Sequence, residues 1–283
     1  MKKKIVLMLT VIMLIGLAGC GKNQINIKET GTSDNNEQMV QNIYENKRTE
    51  VKQKISEIKE RLPETSAEDK GTCGSKAKWY YKDNTLIIYG EGVITEDTWH
   101  KSNIVINTVV IDSGITKLGN NMFSGLGSEV GKNIENFYIA DGLEEIGSST
   151  FVNCDCLSEI VLPPSLYFID GYTFASCDSL KKIYMTDGVE KIGDSAFTGC
   201  KSLDSIFIPK TVLAIGNGVF TGCNNLSDIQ ISKDNRIFSE KNNCIINNDT
   251  KTLIYAINKD FSIPDDILCI AEDAIYGCGL GRL

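Results

Sequence analysis

The sequence predicts a repeat solenoid: stacked turns that share one parallel β-sheet, closed by short helical or 3-10 turns on the opposite side and preceded by a helix. Two observations carry this. Ile146, Ile169, Ile192 and Ile215 stand 23 residues apart, and the columns Phe151/174/197/220, Cys154/177/200/223, Leu157/180/203/226 and Ile160/183/206/229 keep the same step. A fixed period of this length means units that bury their apolar side only against their neighbours. Within one copy, Ile160-Val161-Leu162 reads as the strand, in alternating in-and-out register, and identical units stacked in order must pair these strands in parallel.

Bulk composition sets the outer limits. The 283 residues are 42% hydrophobic and 23% charged, ordinary for a folded chain. Net charge is −8, and without Lys2, Lys3 and Lys4 it becomes 26 − 37 = −11. An acidic body without a basic stripe argues against nucleic-acid binding. The single histidine, His100, leaves little room for His-dependent catalysis and none for a multi-histidine metal site.

Residues 1–19 read as an export signal. Lys2-Lys3-Lys4 is the positive start, Ile5 to Gly16 is an apolar run of 12, and Leu17-Ala18-Gly19-Cys20 supplies the cleavage point. The run is too short for a bilayer core of ~30 Å. The tetrad resembles the lipobox of bacterial lipoproteins, which implies acylation of Cys20, membrane attachment through it and a place in the bacterial cell envelope. The alternative is a plain secretory signal with Cys20 incidental. Acyl chains contribute ~0.8 kcal/mol per buried CH₂, so two or three anchor a protein stably.

Residues 20–35 are polar and aperiodic, a flexible tether. Residues 36–62 predict a helix: Val51, Ile55, Ile58 and Leu62 form one apolar stripe, Tyr44 extends it backwards, Arg48 interrupts it, and Pro63 ends it. The stripe is compatible with a weak dimer through a short coiled coil, or with a monomeric stalk. Residues 63–71 are a linker. Residues 72–105 predict a cap, with Trp79-Tyr80-Tyr81 and Leu86 to Tyr89 as strands about an Asp83-Asn84 turn, and both tryptophans, Trp79 and Trp99, available to cover the first rung.

The repeats occupy 106–283. Val109, Ile111, Ile115, Leu118 and Phe123 form an early rung displaced by an insertion within Leu126 to Asn133. The phase resumes at Ile134, and a hairpin interrupts it at about 235–256. Phe261 to Cys278 then spells the pattern once more, making seven rungs. Gly147, Gly193 and Gly216 after the conserved-phase isoleucines suit a tight turn.

The strand Leu-x-x-Ile-x-Leu/Ile-Pro, the Ile-Gly turn and the Phe-x-x-Cys close resemble leucine-rich repeats of the BspA-like, 23-residue class. So do Thr72-Cys73-Gly74, Trp79 and Gly90-x-Gly92 ahead of them, and the interruption from Asn235-x-x-Phe238 to Tyr255. The resemblance covers about 72–283. It implies a right-handed leucine-rich-repeat solenoid with a parallel sheet on its concave face, and adhesion to host or microbial proteins. Asp170 and Ala271 replace the turn glycine, and Leu126 replaces the first cysteine. The chain stops at Gly281-Arg282-Leu283, where the next strand is due, so an uncovered last edge or a fragment is expected.

Cys154, Cys177, Cys200, Cys223 and Cys278 hold one repeat position and read as a ladder of small buried hydrophobes, with disulfides as the alternative. No carboxylate pair, metal cluster or phosphate-binding loop stands out, so no catalytic residue, metal or cofactor is assigned. The middle strand position points to the concave face. It holds Val110, Tyr138, Val161, Tyr184, Phe207 and Gln230, an apolar and aromatic stripe on what should be solvent. Such stripes mark interfaces. The sequence therefore predicts a lipid-anchored surface protein that binds a protein partner through this stripe, without catalysis. A cell-envelope scaffold or a carbohydrate binder is the alternative.

Overall fold

The computed structural model describes residues 33–102, 104–125, 129–257 and 261–275. The export signal expected at 1–19, the expected lipidation residue Cys20 and Cys278 lie outside them. The chain opens with helix α1, Ser33–Arg61. An antiparallel cap follows, β1 (Asp69–Thr72), β2 (Lys76–Lys82) and β3 (Thr85–Ile94). Asp83 and Asn84 turn β2 into β3, both with positive φ, the twist a two-residue hairpin needs. β3 is long because it serves two sheets. Thr85–Ile88 pairs in parallel with β4 (Thr108–Ile111), and Gly92–Ile94 with β5 (Ile115–Leu118), which converts the antiparallel cap into a parallel stack.

Each turn of the solenoid lays down two strands. The main face carries β4, β6 (Asn136–Ile139), β8 (Glu159–Val161), β10 (Lys182–Tyr184), β12 (Ser205–Ile208) and β14 (Asp228–Ile231). The flank carries β5, β7 (Glu145–Ile146), β9 (Phe168–Ile169), β11 (Lys191–Ile192) and β13 (Ala214–Ile215), paired in parallel from end to end. The register then changes to an antiparallel trio, β15 (Phe238–Lys241), β16 (Cys244–Asn247) and β17 (Thr252–Ala256), with β18 (Cys269–Ile270) parallel to β17. Of the seventh rung read from the sequence, β18 is the strand among the described residues.

The back wall consists of successive i→i+3 turns. Val152 N–H donates to Ser149 O, Cys154 N–H to Phe151 O and Leu157 N–H to Cys154 O, and the next rung repeats the pattern. Rungs are also joined here directly, with Phe151 N–H on Thr173 O and Phe174 N–H on Ala196 O. Inside, Phe123, Phe151, Phe174, Phe197 and Phe220 stack face to face, with centroids 5.9, 5.0, 5.5 and 5.7 Å apart. Trp99 stacks on one end of this spine at 5.4 Å and Tyr255 meets the other edge-on at 5.4 Å. Each phenylalanine ring of the spine is fully buried, and burial of a phenyl contributes ~2–3 kcal/mol before entropy is subtracted.

The turn glycines have a different physical cause from the one the sequence suggests, and the cysteine column, buried as expected, has a further one. A Cβ on Gly193 or Gly216 would stand 2.5 Å from Gly171 N or 2.4 Å from Asp194 N, so glycine is required there by the approach of the preceding rung. The left-handed residues come two positions later, in a column of Ser149, Tyr172, Ser195 and Gly218. The cysteine column is a hydrogen-bonded thiol ladder. Cys177, Cys200 and Cys223 each direct Sγ at the carbonyl of Phe151, Phe174 or Phe197 one rung earlier, at 3.0 Å. All are free thiols. Burial holds the Cys177 thiol well above its ordinary pKa, and the neighbouring Cys223 thiol together with burial does the same for Cys200.

Candidate functional site

The main sheet face brings the predicted stripe together. Register pairs Ile87 with Val110, Val110 with Tyr138, Val161 with Tyr184, and Phe207 with Gln230, so these side chains form one column running along the solenoid. The column is not open to solvent, however. Val110 is fully buried and Val161 is 4% exposed, because α1 lies along them. Tyr138, Tyr184, Phe207 and Gln230 are half-buried.

The fit follows from two spacings. Strands in a sheet are ~4.8 Å apart and a helix rises ~1.5 Å per residue, so one rung corresponds to about three residues of helix. The stripe Tyr44, Arg48, Val51, Ile55, Ile58 and Leu62 advances in steps of four and three, close to that pitch. It seals against Tyr80, Ile87, Val110 and Val161 in a second apolar core, separate from the solenoid interior. The polar anchors descend rung by rung. Ser232 Oγ donates to Glu37, Thr186 Oγ1 to Gln41 at 2.9 Å, Tyr44 Oη to Leu162 O at 2.8 Å, and Arg48 to Ile139 O at 3.0 Å. At the far end Tyr80 Oη donates to Leu62 O at 2.9 Å. The helix thus starts over β14 and ends on the cap, opposite to the order of the rungs.

Charge reinforces the docking. Arg48 Nη2 and Lys52 Nζ lie 2.5 and 2.7 Å from Asp141, and Lys59 Nζ lies 2.5 Å from Asp112. Burial pushes the Asp141 carboxyl up, but the hydrogen bonds from Lys52 and Arg48 outweigh it and hold its pKa below the usual value. Arg48, which interrupts the stripe in the sequence, is 3% exposed and is the centre of this latch. The apolar stripe of α1 is covered by the chain's own sheet.

Along the outer flank of α1 an open cleft of about 350 Å³ separates the helix from β6 and β8. Tyr138 lies in it, with Asn136, Glu135 and Glu159 on the sheet side and Lys47 and Lys54 on the helix side. Further along, Lys47 Nζ stands 5.6 Å above the Tyr184 ring. Sequence reasoning missed the helix anchors Tyr44, Arg48 and Asp141 as a set. The available signal was a buried-type position occupied by arginine, which needs an acidic partner somewhere. His100 sits in the cap beside Trp99, its Nδ1 3.2 Å from Asp97, remote from the stripe. Among the described residues no three His, Cys, Asp or Glu side chains converge.

Comparison with known proteins matches the repeat itself. A family profile described as "BspA type Leucine rich repeat region" matches residues 129–250, in six copies. No curated protein sequence matches. Among solved structures, a leucine-rich repeat protein from Eubacterium ventriosum superimposes with a TM-score of 0.65 at 22% identity, over 74% of this chain and 57% of that one. The pneumococcal vaccine antigen PcpA gives 0.53 at 16%, over 74% and 62%. A leucine rich cell surface protein from Faecalibacterium prausnitzii gives 0.52 at 20%, over 76% and 69%. The chain therefore spans less than two thirds of the first two structures it matches, and the likeness to all three is one of fold. Residues 129–250 of this chain are a leucine-rich repeat region of the BspA type.

Proposed function

We propose that this chain is a bacterial envelope protein, anchored through acylated Cys20, whose repeat domain binds a protein partner and catalyses nothing. One observation carries the reading. On a column otherwise sealed by α1, Tyr184, Phe207 and Gln230 stay half-exposed on adjacent rungs β10, β12 and β14. Aromatic side chains in that state give large contact area at little entropic cost. Val110 and Val161 drop out as contact residues because they already face α1. The leucine rich cell surface protein of F. prausnitzii shares the fold and supports the location by analogy. Pull-down from extracellular and envelope proteins with wild type and the Tyr184→Ser, Phe207→Ser double variant is the test. Loss of a specific partner in the folded variant is expected, and an unchanged partner set contradicts the reading. Cys20→Ser is expected to abolish acylation, and intact-cell proteolysis to remove the repeat domain.

A further inference from the structure

The cleft beside α1 has a composition that selects its ligand. It exists because the helix is docked: one wall is α1, the other is the N-terminal ends of β6 and β8. Its volume of about 350 Å³ lies at the small end of ligand sites, enough for one or two sugar rings. Of the two aromatic residues that line it, Phe137 is 4% exposed and Tyr138 is half-buried, with its hydroxyl 3.5 Å from Asn136 Oδ1.

The charges around it are already satisfied internally. Lys47 Nζ lies 2.8 Å from Glu159 and 3.4 Å from Glu50, and Lys54 Nζ lies 3.0 Å from Glu57. Glu135 adds an exposed carboxylate at the rim. An anionic ligand meets more carboxylates than ammonium groups here. A lipid or other apolar ligand finds little beyond the Tyr138 ring, because the other apolar residues of the lining, Val51, Phe137 and Val161, are 4–5% exposed. An amphipathic helix finds its groove occupied by α1. What fits is a molecule with an apolar face for the Tyr138 ring and a periphery of neutral hydroxyl or amide groups for the amide, carboxylate and ammonium side chains around it.

We propose that the cleft between α1 and β6–β8 is a binding site for a neutral or N-acetylated saccharide, stacked on Tyr138 and hydrogen-bonded at its edge by Asn136 and Glu159. The site shares no residue with the Tyr184, Phe207 and Gln230 surface, so either assignment fails without the other.

The test uses the full chain against immobilised neutral and N-acetylated hexose oligomers, with sulfated and uronate oligomers and unglycosylated peptides in parallel. Binding to at least one neutral or N-acetylated oligomer is expected, weakened at least tenfold by Tyr138→Ala and less than threefold by Tyr138→Phe, which keeps the ring. Glu135→Trp, at an exposed position that bears no core contact, is expected to block the cleft and weaken binding tenfold as well, which covers the case in which Tyr138→Ala misfolds. No binding of neutral or N-acetylated oligomers at millimolar concentration, binding of anionic oligomers or peptides alone, or saccharide binding insensitive to Tyr138→Ala and Glu135→Trp in folded protein overturns the proposal.

Discussion

Arg48 shows how one side chain fixes an arrangement. Its guanidinium satisfies the Ile139 carbonyl and the Asp141 carboxylate at once, a geometry that lysine does not reproduce. Arg48→Ala leaves both acceptors without this donor at a buried seam. The expected loss is ~1–3 kcal/mol, less than for a fully buried pair because Asp141 is also held by Lys52 and is 43% exposed. Thermal or denaturant unfolding of the variant measures it. The thiol ladder makes a second residue-scale prediction. Cys177→Ala removes a donor to Phe151 O and some core volume, and is expected to cost ~1–2 kcal/mol. In native protein a thiol reagent is expected to label exposed Cys156 and Cys269 quickly, and Cys177 and Cys200 only on unfolding, because burial keeps their thiols protonated. The thiol ladder was legible in the sequence, because one repeat position puts the cysteines in a parallel column that does not turn them toward each other; their hydrogen bonds to the carbonyls one rung earlier were not.

At the scale of the element, α1 was half legible. Its apolar stripe and its stop at Pro63 stand in the sequence, and the stripe's pitch is that of a helix. Its target does not, because periodicity defines a face and says nothing about what covers it. The same limit explains Val110 and Val161: alternation puts them on the outer side of the sheet, but a helix closes over that side. The docking should respond to acid. The folded-state pKa of Asp141 lies below its unfolded value of ~3.9, so its contribution is fully present above that value and is lost as pH falls through it toward the folded pKa. Amide exchange of residues 36–62, corrected for intrinsic rates, is expected to accelerate below about pH 4 relative to the phenylalanine spine, and Asp141→Asn is expected to reproduce part of that loosening at neutral pH. Equal exchange across the range contradicts the latch.

For the whole molecule, the columns of isoleucine, leucine, phenylalanine and cysteine announced the solenoid, since each rung must meet an identical neighbour. The aromatic spine from Trp99 to Tyr255 is that periodicity in three dimensions. What the repeat could not announce is the second core, because it joins a segment without repeats to one with them, through contacts such as Gln41 with Thr186, 145 residues away. In that core α1 folds back along the main sheet face, hides Val110 and Val161, and leaves Tyr138, Tyr184, Phe207 and Gln230 at its margin. Hydrogen–deuterium exchange of the intact chain at neutral pH tests this directly. Amides of residues 44–62 are expected to be protected to a degree comparable with β4 and β6. Rapid exchange of the whole helix, beside a protected solenoid, would contradict it.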